Sequence, residues 1–133
     1  MFITTVTPRF GDMDFLGHIN NTVPAVWFEL ARNPLWRIFV PDFSRSHQYW
    51  PLIMAHTDYD FIEQLYFNDD VEIRSWITCI GVKSFTVHQE ARQKGRLCVK
   101  GNAVIVHYDF KNKQSTPLPE DKKKLLAEHM KPK

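Results

Sequence analysis

Arg9-Phe10-Gly11-Asp12-Met13-Asp14-Phe15-Leu16-Gly17-His18-Ile19-Asn20-Asn21 is the stretch on which the reading of this chain turns. Two Gly, two Asp and two Asn fall within residues 11–21, a composition that predicts a loop. Residues 2–10, rich in Phe, Ile, Thr and Val, lead into it as a predicted first strand. A helix is expected to follow. Asn21 or Thr22 can cap it, because a short polar side chain accepts a bond from a free amide of the first turn. Pro24 is tolerated in that turn, where no donor is needed. From Val23 onward most positions are apolar, and the exceptions Glu29, Arg32, Asn33 and Arg37 fall at helical spacing on one stripe. A helix apolar around most of its circumference is wrapped by other structure, and Pro34 is expected to kink or end it.

The remainder reads mostly as strands. Residues 40–51, with Pro41, Asp42, Ser44, Ser46 and Pro51, form an irregular connection. Residues 52–66 make one long run interrupted at His56-Thr57-Asp58, and Asn68-Asp69-Asp70 is a turn. Residues 71–80 alternate, with Val71, Ile73, Ile77 and Cys79 on one face and Trp76 out of pattern. Residues 84–93 and 96–110 are two more strands joined at Lys94-Gly95, a link short enough for a tight hairpin. Residues 111–118 are a polar loop and 119–129 a short terminal helix, with Pro119 and two acids at its start. One strand, a buried helix and then four antiparallel strands give an α+β fold.

The bulk properties agree with one domain over residues 1–133. A net charge of +2 shows no dense basic patch, so a nucleic-acid partner is not expected. The basic run Lys122-Lys123-Lys124 reads as a solvated tail. Cys79 and Cys98 are far apart inside apolar runs, read as small buried hydrophobes rather than as a disulfide or metal pair. His47, His56, His88, His107 and His129 are scattered without metal-ligand spacing, so no metal site is expected. No run reaches membrane-spanning length and the first residues lack a basic leader, so a cytoplasmic protein without a membrane partner is expected.

The loop itself carries the chemistry. It places carboxylates, a Gly-His pair and two amides just before a helix start, where unpaired backbone N–H groups and a partial positive charge suit a developing oxyanion. A carboxylate beside it can attack a reactive carbonyl or activate water. Read by itself, the segment fits an Asx-rich turn that merely caps a helix better than a catalytic loop.

The same residues, continued by Glu29-Leu30-Ala31-Arg32, resemble the signature of the 4-hydroxybenzoyl-CoA thioesterase type of hotdog protein, in the branch with a Gly-His-Val-Asn-Asn loop. The similarity extends to Tyr59-Asp60-Phe61, Asn68-Asp69-Asp70-Val71-Glu72-Ile73, Lys83-Ser84-Phe85 and Pro117-Leu118-Pro119. The resemblance implies a five-stranded antiparallel sheet wrapped around one long central helix. It implies homodimers with a continuous sheet, often paired again into tetramers, with the active site at the dimer interface. It also implies an acyl-CoA thioesterase, a hydrolase yielding free acid and coenzyme A, with no cofactor beyond the coenzyme A of the substrate.

Residue by residue, Asp14 matches the catalytic carboxylate, as nucleophile or as general base for water. Asn21 matches the helix-start position whose backbone amide polarises the thioester carbonyl. His18 matches the His of the loop. Gly17, Asn20, Tyr59, Lys83 and Ser84 are expected to meet substrate, the Lys83-Ser84 turn at the nucleotide end. Some bacterial relatives carry a His where Asn21 stands, so a mechanism needing an imidazole there does not transfer. Asp12 is expected to form the turn and Glu29 to pair with Arg32 or Arg37. Two other functions fit the same residues: an acyl-ACP thioesterase and a non-catalytic acyl-thioester binding module.

Overall fold

A computed structural model describes residues 1–42 and 50–131. Its strands are β1 (Phe2–Val6), β2 (Leu52–Phe61), β3 (Val71–Ile80), β4 (Ser84–Gln93), β5 (Arg96–Asp109) and the short β6 (Gln114–Ser115). The helices are α1 (Val23–Ala31), α2 (Asn33–Phe39) and α3 (Glu120–Ala127), with a 3-10 turn at Phe10–Asp12. One antiparallel sheet runs in the order β1-β3-β4-β5-β2, and β6 adds to β5. The five long strands are those expected; β6 is a sixth. His47, in the expected 40–51 connection, lies outside the described residues.

The long central helix is not observed. Pro34 has no amide to donate, and its ring would crowd the carbonyl four residues earlier, so the helical run divides. α1 ends at Arg32, whose amide folds back onto the Glu29 carbonyl, and α2 begins with Pro34 in its first turn. The carbonyl of Phe28 is bonded instead by the buried Gln89 side chain at 2.9 Å. Two apolar clusters follow the two helices. Phe28, Ala31 and Trp27 pack on Val71, Ile73 and Val99 beneath α1, while Leu35 joins Phe85, Ile105 and Leu126 beneath α2 and α3. Each fully buried Leu, Ile or Phe stabilises the fold by roughly 1.5–3 kcal/mol.

β3 and β4 have the expected bounds, and Lys94-Gly95 is a two-residue turn with positive φ at both positions (51° and 76°), the geometry that suits strand twist. A bulge between Ile77 and Cys79 corrects the reading of β3. One extra residue flips the faces beyond it, so Cys79 is exposed while Cys98 is buried. Trp76 lies on the opposite face from Ile77, roofed by His88 (4.8 Å between rings) and by the Lys131 ammonium 4.7 Å from its centroid. β2 runs on through His56-Thr57-Asp58, and the expected interruption takes the form of a register shift against β5 between Met54 and His56. His56 bonds Asp58 at 3.0 Å, and Asp58 accepts from both the amide and the side chain of Asn102 on β5. These bonds, His56 first, hold the Asp58 carboxyl below its ordinary range. Among the described residues no helix is long and apolar enough to cross a membrane.

The chain end closes the edge of β3 past β1: the Ile77 amide donates to His129 O at 2.9 Å, and the His129 ring stacks on Phe2 at 4.1 Å. Burial, helped by the N-terminal ammonium, holds the His129 pKa below the ordinary value. The unfolded chain therefore takes up this proton first, and stability is full above the ordinary histidine value of about 6.5 and declines as pH falls below it. Melting curves from about pH 8 to about 5 should show this decline, and His129→Gln should flatten it. Equal slopes in the two proteins would remove His129 from the account.

Candidate active site

The loop after β1 folds as a miniature hairpin. Met13 bridges Ile19, and the Asp14 amide donates to His18 O at 2.7 Å. Gly17 sits at its turn with φ 78°, a left-handed conformation that side-chain-bearing residues resist. The hairpin is tied on two sides. Asn20 N donates to Asp12 O (2.8 Å), and Ile19 N to Leu65 O (2.8 Å). Phe67 N donates to Gly17 O (3.3 Å), and His18 bridges Tyr66. Asp12 is structural, as expected. It is buried, and its two oxygens accept from the Arg9 amide (2.8 Å) and guanidinium (3.3 Å).

Asp14 divides its carboxylate between two tasks. Oδ1 accepts from the amides of Leu16 (2.8 Å) and His18 (3.1 Å), which fixes the rotamer. Oδ2 is left outside those bonds, 4.0 Å from His18 Nδ1, a separation that becomes an ion pair only when His18 is protonated. The His18 ring stands edge-on to Tyr66 at 5.1 Å. Both side chains keep access to solvent, 34% for Asp14 and 23% for His18.

The turn into α1 leaves one donor over. Asn20 Oδ1 accepts from the Thr22 amide (3.0 Å) and hydroxyl (2.9 Å), and the Val23 amide donates to Asn20 O (3.0 Å). Pro24 has no N–H. The Asn21 amide finds no acceptor among the described residues. The helix is thus capped by Asn20, not by Asn21 or by the Thr22 side chain. Asp14 and Asn20 open onto a cavity of about 480 Å³ bordered by Phe10, Met13 and Phe15. Asn21 opens onto another one, of about 250 Å³, with Pro24, Phe61 and Leu65. Within one chain the expected pair, Asp14 and Asn21, therefore lies on two separate openings, which the consecutive residues Asn20 and Asn21 border. Phe10, Phe15 and Leu16 around them are 79%, 107% and 77% exposed, an apolar patch of the kind that marks an interface or ligand surface.

The other expected residues are not gathered there. Tyr59 packs partly buried against Phe28 (5.7 Å). Lys83 and Ser84 form the turn where β3 passes into β4, with Ser84 O accepting from Gly81. Val71, at the other end of the ten-residue β3, is roughly 30 Å away by strand rise. Glu29 is exposed on α1 and acts on Arg32 through its charge. Among the described residues no group of three His, Cys, Asp or Glu is placed to hold a metal ion.

A buried polar set escaped the sequence reading. Gln93, 1% exposed, donates from Nε2 to Tyr66 O (2.7 Å) and Asp69 O (2.9 Å), and accepts from Tyr66 N (2.9 Å). It clamps the segment to which the Asp14 hairpin is tied. Gln89 joins Ser75 Oγ, Phe28 O and Arg32 Nη1. Both glutamines stand at inward positions of β4, in step with Phe85, Val87 and Ala91. A glutamine on the apolar phase of an alternating strand is the signal that marks them.

Comparison with known proteins adds an independent observation. Residues 8–126 match the model of the thioesterase-like superfamily. A predicted thioesterase from Bacillus stearothermophilus is 36% identical, with a TM-score of 0.93 over 99% of this chain and 98% of that one. A Thermus thermophilus thioesterase, solved in complex with coenzyme A and Zn, is 25% identical, with a TM-score of 0.84 over 99% and 96%. The uncharacterized protein YsmA of Bacillus subtilis (strain 168) is 22% identical over 94% of this chain and 84% of its own length.

Proposed function

The chain belongs to the thioesterase-like superfamily, and from that premise we propose that it hydrolyses an acyl-coenzyme A thioester to free acid and coenzyme A. The observation that carries the reading is the Asp14 carboxylate, locked through Oδ1 and open at Oδ2, in a loop that leads to an Asn21 amide with no acceptor among the described residues. In the general-base route Asp14 Oδ2 takes a proton from water, whose oxygen adds to the thioester carbonyl. The carbonyl oxygen gains negative charge and accepts from Asn21 N–H. Collapse of the adduct breaks the C–S bond, and the thiolate takes the proton held by Asp14. In the nucleophilic route Oδ2 attacks the carbonyl itself, the C–S bond breaks and coenzyme A leaves as its thiolate, and water then cleaves the resulting anhydride to free acid and the Asp14 carboxylate, the proton released from water going to the thiolate. His18, beside Oδ2, supports either proton transfer.

Two features support a dimeric site. β2 is an edge strand whose outer side pairs with no described strand. The apolar patch of Phe10, Phe15 and Leu16 borders the Asp14 opening. Pairing of two β2 edges would continue the sheet, and further pairing into a tetramer would let Lys83 and Ser84 approach coenzyme A bound at another subunit's Asp14. The 25% identical relative solved with coenzyme A supports the carrier.

A thiol-trapping assay over short, long and aromatic acyl-CoA thioesters tests the activity, and release from at least one is expected. Ligand binding without thiol release on any of them would make the chain a binding module. Faster release from the matched acyl-ACP would change the carrier.

A further inference from the structure

The segment between β2 and β3 is held from both sides. In extended chain one residue directs its N–H and C=O to one side, and its neighbours direct theirs to the other. Tyr66 gives both of its groups to the Gln93 side chain. Its amide donates to Oε1 (2.9 Å), and its carbonyl accepts from Nε2 (2.7 Å). On the opposite side Leu65 O accepts from the Ile19 amide (2.8 Å), and the Phe67 amide donates to Gly17 O (3.3 Å). Residues 65–67 thus form one strand-like rung, with a side-chain amide on one side and the Asp14 hairpin on the other. Gln93 stands where a neighbouring strand would.

The same Nε2 also reaches Asp69 O (2.9 Å). That fixes the far end of the segment beside Asp70, whose carboxylate accepts from the Thr7 hydroxyl just past β1 (2.8 Å). Gln93 is itself held: it is 1% exposed and ends β4, paired with Arg96 across the Lys94-Gly95 turn. A glutamine buried at an inward strand position gives up hydration that only such bonds replace. Filling the core there needs no amide, since an apolar side chain of similar length would do it.

The rung carries the geometry of the site. It holds Ile19, two residues before the spare Asn21 amide, and Leu65 borders the same opening as Asn21. It also holds His18, which bridges Tyr66 and stands edge-on to its ring at 5.1 Å, with Nδ1 4.0 Å from Asp14 Oδ2.

We propose that Gln93 is a positioning residue for the hydrolysis: through Tyr66 it fixes the Asp14–His18 hairpin relative to the Asn21 amide. The inference rests on the hydrolase reading above. Among the described residues the Gln93 side-chain bonds all go to backbone of the 66–69 segment, so it acts at one remove from the reacting atoms.

The test is Gln93→Met, which keeps the length of the side chain and removes all three bonds. Measured on folded protein, below its melting temperature, kcat on an acyl-CoA that the wild type hydrolyses should fall about tenfold, within the cost of a misplaced catalytic group. KM should hold. Leu126→Ala, in α3 and in the other buried cluster, should lower the melting temperature and leave both constants unchanged. A wild-type kcat in folded Gln93→Met would overturn the proposal. Gln93→Asn keeps an amide and shortens its reach by one methylene, and it carries the same expectation if the methionine variant does not fold. A second readout does not need turnover. In NMR spectra the His18 ring resonances and the Ile19 and Phe67 amide resonances should shift in the Gln93 variant and stay in place in Leu126→Ala. If no thioester is hydrolysed the activity reading fails, and these resonances still decide whether Gln93 sets the hairpin. Unshifted resonances in the Gln93 variant would overturn it.

Discussion

Asp14→Asn is expected to leave the protein folded and to lower acyl-CoA hydrolysis at least about a hundredfold, the lower range for loss of a positioned base. The geometry makes this exchange unusually clean. Oδ1 only accepts bonds, from Leu16 and His18, and an amide oxygen can accept the same two. Oδ2 becomes an NH2 group with no lone pair to take a proton or attack carbon. A melting temperature within a few degrees of wild type, together with lost thiol release, is the expected pair of results. Near-normal turnover would sink the assignment of Asp14. Asp12→Asn provides the contrast, because Asp12 is buried and spent on Arg9. Its substitution should cost stability first.

Gly101→Ala is expected to be the most damaging of the conservative changes to the fold. Gly101 lies opposite Tyr59 in the β2–β5 pair, and a Cβ built there would lie 2.2 Å from the Asp58 carbonyl oxygen and 3.3 Å from Tyr59 Cδ1. Backbone cannot step aside as a flexible side chain does. β2 would have to move off β5, straining the Asp58–Asn102 bonds and the wall that Tyr59 gives to α1. Overpacking of this kind costs about 3 kcal/mol or more. For a chain of this size that corresponds to a drop in Tm on the order of 10 °C. An unchanged melting temperature would show that β2 sits farther from β5 than described.

These two sites differ in how far the sequence revealed them. The Asp14 loop was legible because its Gly, Asp and Asn are local conformational signals, and because its order resembles a known signature. β3 and β4 were legible because alternation and a two-residue turn fix their register. The break at Pro34 was legible in its missing amide, whereas the one long central helix was implied by the resemblance alone and is not what the chain forms. Cys79 was assigned to the wrong face because a bulge adds one residue to β3 without marking the sequence. The tight approach at Gly101 and the clamp at Gln93 depend on strands that meet only in three dimensions. Lys83 and Ser84 were grouped with Asp14 by resemblance, yet a whole strand separates them within one chain.

The turn from Asn20 to Pro24 has a consequence for chemical selectivity. Asn20 takes up the Thr22 and Val23 amides and Pro24 offers none, which leaves Asn21 as the spare donor of that turn. A single donor lends an oxyanion hole about 3–4 kcal/mol, which is small beside the barrier to cleaving an amide or an alkyl ester. On the proposed reaction such a site can turn over only acyl groups whose leaving group departs without assistance, as a thiolate does. The enzyme would then spare the peptides and oxoesters around it because it is underpowered towards them, and its discrimination between bond types would need no recognition of the bond.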